Sequence, residues 1–109
     1  MVDLESVREY CFRKKGKVVE DFPFGDNVLV MKMHGKIFAL IRMDIIPARI
    51  NLKCDPELAV ELRERYAAIT PGYHMNKKYW NTVVLDGSVS PKEIYKMIDH
   101  SFDLVSGGA

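Results

Sequence analysis

The chain has 109 residues, 48% of them hydrophobic and 28% charged, with a formal net charge of +1. This is the make-up of one ordinary globular domain spanning residues 1–109, and it excludes a disordered or fibrous chain and one that needs disulfides or metal to hold its core. So even a charge balance also excludes gripping nucleic acid by bulk charge, and any such role needs a local patch.

Residues 3–15 place Leu4, Val7, Tyr10 and Cys11 at helical spacing, with Asp3 to cap the start and Gly16 to end it, which predicts a first helix. Residues 17–21 carry the β-branched pair Val18 and Val19 and predict a short strand that breaks at Phe22-Pro23-Phe24-Gly25. Residues 27–33 and 36–42 are apolar runs of strand length separated by His34-Gly35, the spacing of a tight hairpin. With Met33 opposite Lys36, strict alternation groups Leu29, Met31, Met33, Phe38 and Leu40 on one face, and Val28, Val30, Ile37, Ala39 and Ile41 on the other. Neither face is polar, so the hairpin is either covered on both sides or offers an apolar face to a partner.

Residues 49–54 alternate Ile50, Leu52 and Cys54 with Arg49, Asn51 and Lys53, the pattern of a half-exposed strand. Asp55-Pro56 supplies a cap followed by proline, and Leu58, Ala59, Leu62 and Tyr66 form the stripe of a second helix ending near Tyr66. Residues 71–81 follow neither period and predict a loop, after which 82–85 is a short strand closed by Asp86-Gly87. Ser90-Pro91-Lys92-Glu93 has capping-box spacing and opens a third helix with Ile94, Met97, Ile98, Phe102 and either Leu104 or Val105 on its apolar face. The order α-β-β-β-β-α-β-α lacks the repeated strand-helix-strand unit of a parallel sheet and predicts an α+β fold, a mostly antiparallel sheet with flanking helices.

The 71–81 loop is the least ordinary stretch. It gathers Tyr73, His74, Asn76, Lys77, Lys78, Tyr79 and Trp80, and no acidic residue occurs from Arg65 to Leu85. Cations interleaved with aromatic rings can hold phosphates and stack bases; the bland alternative is that the rings enter the core while the lysines solvate a turn. A second basic set, Lys32, Lys36, Arg42, Arg49 and Lys53, lies between Asn27 and Cys54, a window whose only acid is Asp44, and Asn51 stands between the last two. The first helix ends in Arg13, Lys14 and Lys15, where the expected role is to offset the helix dipole.

Catalytic and metal signatures are mostly absent from the sequence, with His74 beside Tyr73 the one acid-base candidate. His34, His74 and His100 show no H-E-x-x-H spacing, no glycine-rich phosphate loop occurs, and Asp99, His100 and Ser101, as helix neighbours, point apart. The reading is a non-enzymatic protein with no metal and no cofactor. Cys11 and Cys54 lack C-x-x-C spacing and suit a reducing compartment. No signal-like n-region and h-region opens the chain, and no run approaches the ~20 apolar residues of a membrane span, so the expected location is the cytoplasm.

Several motifs in order carry a resemblance: F-P-F-G-D at Phe22 to Asp26, G-K-I-F-A-L at Gly35 to Leu40, N-L-K-C-D-P at Asn51 to Pro56, P-G-Y-H-M-N-K-K-Y-W-N-T at Pro71 to Thr82, and I-D-H-S at Ile98 to Ser101. With these the chain resembles the MmcQ/YjbR family across nearly its whole length. The resemblance implies a CyaY (frataxin)-like fold, a cytoplasmic bacterial protein and a DNA-binding label. It does not extend to an iron-binding acidic ridge, because Asp3, Glu5 and Glu9 are interspersed with Arg8, Arg13, Lys14 and Lys15. The expected site is Tyr73, His74, Asn76, Lys77, Lys78 and Trp80 with Arg49, Asn51 and Lys53, and the expected partner is DNA or another anionic ligand. The alternative is a protein-interaction module or homodimer that uses an apolar sheet face built on Leu29, Met31, Phe38 and Leu40.

Overall fold

The computed structural model describes residues 3–72 and 75–107. In chain order these form α1 (Leu4–Phe12), β1 (Val19–Asp21), β2 (Val28–Met33), β3 (Lys36–Arg42), β4 (Arg49–Lys53), α2 (Pro56–Arg65), β5 (Ile69–Pro71), β6 (Trp80–Val84) and α3 (Pro91–Ser106). The strands make one sheet of order β1-β2-β3-β4-β6-β5 in which every pairing is antiparallel.

The caps sit where the sequence puts them. Asp3 accepts from the Ser6 amide, Asp55 from the Glu57 and Leu58 amides, and Ser90 from the Glu93 amide, while Gly107 closes α3 in the left-handed conformation. α1 is shorter than its periodicity suggests: it ends at Phe12, so Arg13, Lys14 and Lys15 lie beyond its last turn and do not act there on the helix dipole. Lys14 instead reaches across to Asp99 of α3, whose carboxylate also accepts the Tyr10 hydroxyl at 2.7 Å. β5 is the element the sequence leaves as loop, because three residues ending in a proline carry almost no strand signal and belong only at an edge.

The hairpin is where strict alternation fails. Its turn is as expected: Met33 faces Lys36, and His34 (φ 52°) with Gly35 (φ 76°) supplies the two positive φ angles of a type I′ turn. Further along, Lys32 pairs with Ile37 but Met31 pairs with Ala39, so Phe38 is an extra residue in β3. The bulge turns Phe38 and Ala39 to the same side, into the core, and reverses the phase of all that follows. Leu29, Met31, Phe38, Ala39 and Ile41 therefore share one face, and Val28, Val30 and Leu40 share the other. This corrects the predicted grouping and removes the apolar surface expected of Leu29, Met31 and Phe38, which are buried.

The same face continues through Ile50 and Leu52 of β4, Val83 of β6 and Ile69 of β5, and it carries all three helices. α3 lies over β2, β3 and β4, α2 over β5 and β6, and α1 beside α3. Of the two candidates at the end of α3, Val105 packs inward and Leu104 is exposed. Burying the inward side chains of α3, among them Ile94, Ile98 and Phe102, contributes ~1.5–3 kcal/mol each, with Phe102 edge-on to Phe38 at 5.2 Å. No helix covers the opposite face, and no helix among the described residues is long and apolar enough to cross a membrane.

Candidate functional site

Register across the uncovered face orders its side chains in rows. Val28, Arg42, Arg49 and Val84 make one row; Val30, Leu40, Asn51, Thr82 and Thr70 the next; Lys53 and Trp80, paired across β4 and β6, lie in a third. Arg49 and Lys53 are four residues apart on one strand, so the outer rows stand ~13 Å from each other at ~3.3 Å per residue. The first two rows border a groove of about 930 Å³ whose walls include Phe24 from the β1–β2 loop, Ile45 from the β3–β4 loop, and Pro71 and Met75, while Lys53 and Trp80 lie outside its lining.

Of the residues expected from sequence, Arg49, Asn51, Lys53 and Trp80 do share this surface. They do not share one role. Arg49 is exposed, and Lys53 and Trp80 are half-exposed, whereas Asn51 is only 4% exposed and accepts the Thr82 hydroxyl at 2.5 Å. Asn51 is thus part of a polar floor and not a free reader of bases. Tyr73 and His74 lie outside the described residues.

Asn76, Lys77 and Lys78 form a turn with a defined scaffold. The Asn76 side chain accepts from the Lys78 amide at 3.0 Å, and its carbonyl accepts from the Tyr79 amide at 3.1 Å. Arg63 of α2 lashes this turn down, donating to the Lys77 carbonyl at 2.7 Å and to the Asn81 side chain at 2.8 Å. The Tyr79 carbonyl then accepts from the Cys54 amide at 2.7 Å, which seats the turn against the end of β4. At the other side Gly72 donates to the Trp80 carbonyl at 2.9 Å, and a Cβ there would stand 2.7 Å from that of Trp80, so only glycine permits the approach.

The charges on this surface differ in their partners. Arg42 holds Asp44 through two bonds of 3.1 and 3.0 Å, and its guanidinium keeps that carboxyl below its usual range; Lys32 does the same to Asp21. Arg49, Lys53, Lys77 and Lys78 have no carboxylate in ion-pair reach among the described residues. Lys78 lies 5.6 Å from the centre of the Tyr79 ring, which is itself 39% exposed. The rings next to the lysines are therefore not sunk in the interior.

Elsewhere, groups that look chemical are structural. Ser101 is fully buried, donates to the Phe38 carbonyl at 2.5 Å and accepts the Lys53 amide at 2.9 Å; His100 accepts the Asp55 amide through Nε2; Asp99 faces Tyr10 and Lys14. Burial pushes the Cys11 thiol up to about 12 and the Cys54 thiol up to about 11, far from a reactive thiolate. Cys54 borders a smaller crevice of about 330 Å³ between α2 and α3, floored by Leu52 and Val83. No group of three or more metal-ligating side chains occurs among the described residues.

Sequence reasoning missed Arg63, Thr82 and Phe24, and it counted Arg42 among the strand cations without placing it in the site. Arg63 follows Leu62 on the margin of the α2 stripe, and its place next to buried Ala59 and Leu62 is the one local hint. The others depend on strand register, which no local pattern gives.

The YjbR family model matches residues 13–104. The uncharacterized protein YjbR of Escherichia coli is 32% identical over 100 residues, covering 91% of this chain and 83% of that protein. The crystal structure of a Deinococcus radiodurans protein with a DUF419 domain is similar at a TM-score of 0.90 and 38% identity, over 97% of this chain and 80% of that one. A Pseudomonas syringae protein follows at a TM-score of 0.83 and 31% identity, over 95% and 99%. A match of that extent, on a sheet with one helical and one open face, means that the chain belongs to the YjbR family.

Proposed function

We propose that this is a non-enzymatic, cytoplasmic binding domain of CyaY (frataxin)-like kinship that receives DNA or another anionic ligand on the open face of its sheet. The observation that carries the reading is the continuity of two basic sets far apart in sequence. Pairing of Lys53 with Trp80 joins Arg49 and Lys53 of β4 to the turn that holds Lys77 and Lys78, and none of the four cations has a carboxylate partner among the described residues. Cations without carboxylate partners, one of them, Arg49, in the wall of the groove, are what an anion needs for attraction over several ångströms, even on a molecule of net charge +1.

The test is binding of labelled nucleic acid across a salt series. Affinity should drop steeply as salt rises, and replacing Lys77 and Lys78 by alanine should lower the salt slope by about one unit for each phosphate no longer held. Tight binding indifferent to salt would exclude phosphate gripping.

A further inference from the structure

Resting on that reading, we infer that the occupant of the open face is a single strand of nucleic acid, with one phosphate held between Arg42 and Arg49 and the adjoining base laid against Phe24. The first observation is a like-charge pair. Arg42 and Arg49 are direct partners across β3 and β4 and both belong to the uncovered face. Two guanidinium groups directly opposite each other repel, and such pairs destabilise a sheet unless negative charge lies near. Asp44 supplies one such charge to Arg42 through both of its oxygens and fixes the Arg42 fork in place. Arg49 has no carboxylate partner among the described residues, and a planar guanidinium suits a phosphate better than an ammonium does.

The second observation is Phe24. It stands in the wall of the same groove, at the end where Val28 begins the arginine row, and it is 63% exposed. Its loop is fixed beside the β3–β4 loop by the bond from the Met43 amide to the Asn27 carbonyl at 2.9 Å, so ring and arginines keep their relation. An exposed ring at a cationic groove suits stacking on a base, and an unpaired base has its face free to take that place.

Shape points the same way. Duplex DNA is read by an element that protrudes into a groove of the helix. Here Arg42 and Arg49 line a groove with an uncharged floor of Leu40, Asn51 and Thr82, a recess that the splayed bases of a single strand can enter.

The experiment is a fluorescence titration with a short labelled oligothymidylate and with a duplex of equal length, using Arg49→Ala, Arg49→Lys and Phe24→Ala. All alter exposed side chains, and a melt of each variant confirms the fold. Phe24→Ala should weaken single-strand binding about 5- to 150-fold, the equivalent of ~1–3 kcal/mol for one stacked base. Arg49→Ala should reduce the slope of log K against log salt by about 0.7, the single-strand value for one phosphate, and Arg49→Lys should restore that slope. Single-strand affinity unchanged in both Arg49→Ala and Phe24→Ala, or duplex bound as tightly as the single strand, overturns the inference. Loss of binding in the Lys77 and Lys78 variant alone would leave the broader anion-binding reading standing without it, while no binding of either probe at low salt overturns both.

Discussion

β4 shows two surfaces of one strand put to different uses. Ile50 and Leu52 face the helices and are closed over by them; Arg49, Asn51 and Lys53, one residue out of step, alternate to the face that no helix covers among the described residues, where Arg49 and Asn51 line the groove. On the helical face the polar groups that occur are consumed by the fold: Ser101 ties α3 to β3 and β4, and Asn81 takes Arg63 and donates to the Ala59 carbonyl. On the open face Arg42 holds Asp44, but Arg49 and Lys53 remain without carboxylates among the described residues, and the Phe24 ring stays open to solvent. The difference separates what the chain needs in order to fold from what it has left over for a ligand.

The comparison breaks most easily at Phe38. Its truncation to alanine should cost ~3–5 kcal/mol in urea melts, since the ring is fully buried against Phe102 in the bulge. Phe24→Ala on the open face should stay within ~0.5 kcal/mol. Similar losses at the two positions would erase the distinction. Next is Ser101→Ala, expected to cost ~1–3 kcal/mol by leaving the buried Lys53 amide and Phe38 carbonyl short of a partner, again read from urea midpoints. Gly72→Ala should cost ~1–3 kcal/mol through collision with Trp80, and a neutral result would show that β5 and β6 can part without loss.

The smallest effect distinguishes the two faces by pH. Burial alone would lower the Lys14 ammonium, but the hydrogen bond and charge of Asp99 outweigh it and raise Lys14 above its ordinary 10.5. A raised value in the folded state means that the pair's stabilisation is complete below pH 10.5 and disappears as pH climbs through the higher folded value. Asp44 runs the other way. Held below 3.8 by Arg42, it stabilises above that pH and ceases to do so as pH falls through its lower folded value. Melting profiles should therefore lose part of their alkaline limb in Lys14→Met and part of their acid limb in Asp44→Asn. An exchange of those limbs would mean that the ion pairs are assigned to the wrong faces.

Much of this was legible in the sequence, and the reason is locality. Asp3, Asp55 and Ser90 act within three residues of themselves, His34-Gly35 fixes its own turn, and the alternation of residues 49–53 needs only the period of a strand. The bulge at Phe38 was not legible, because in Ile37-Phe38-Ala39-Leu40-Ile41 every side chain is apolar and any phase looks equally good. β5 gains its strand conformation only from pairing with β6. For the candidate site, Arg49, Lys53 and Trp80 were visible as residue types, but that they adjoin was not, since residues 53 and 80 meet only through β4–β6 pairing. Arg42 was visible as a strand cation but left out of the site for want of its cross-strand neighbour, and Asn51 was taken for a ligand contact because composition says nothing about a floor.

The additional residue in β3 is carried outside the ladder of the hairpin: Ile37 faces Lys32 and Ala39 faces Met31 whether or not Phe38 stands between them. Deleting Phe38, rather than trimming its ring, would restore uninterrupted alternation between Lys36 and Arg42 and leave every remaining pair in register, with Leu40 and Arg42 still on the open face. What would go is the ring that meets Phe102 beneath α3. A single codon lost at this position would thus empty a place in the core without exchanging inside and outside for the strand.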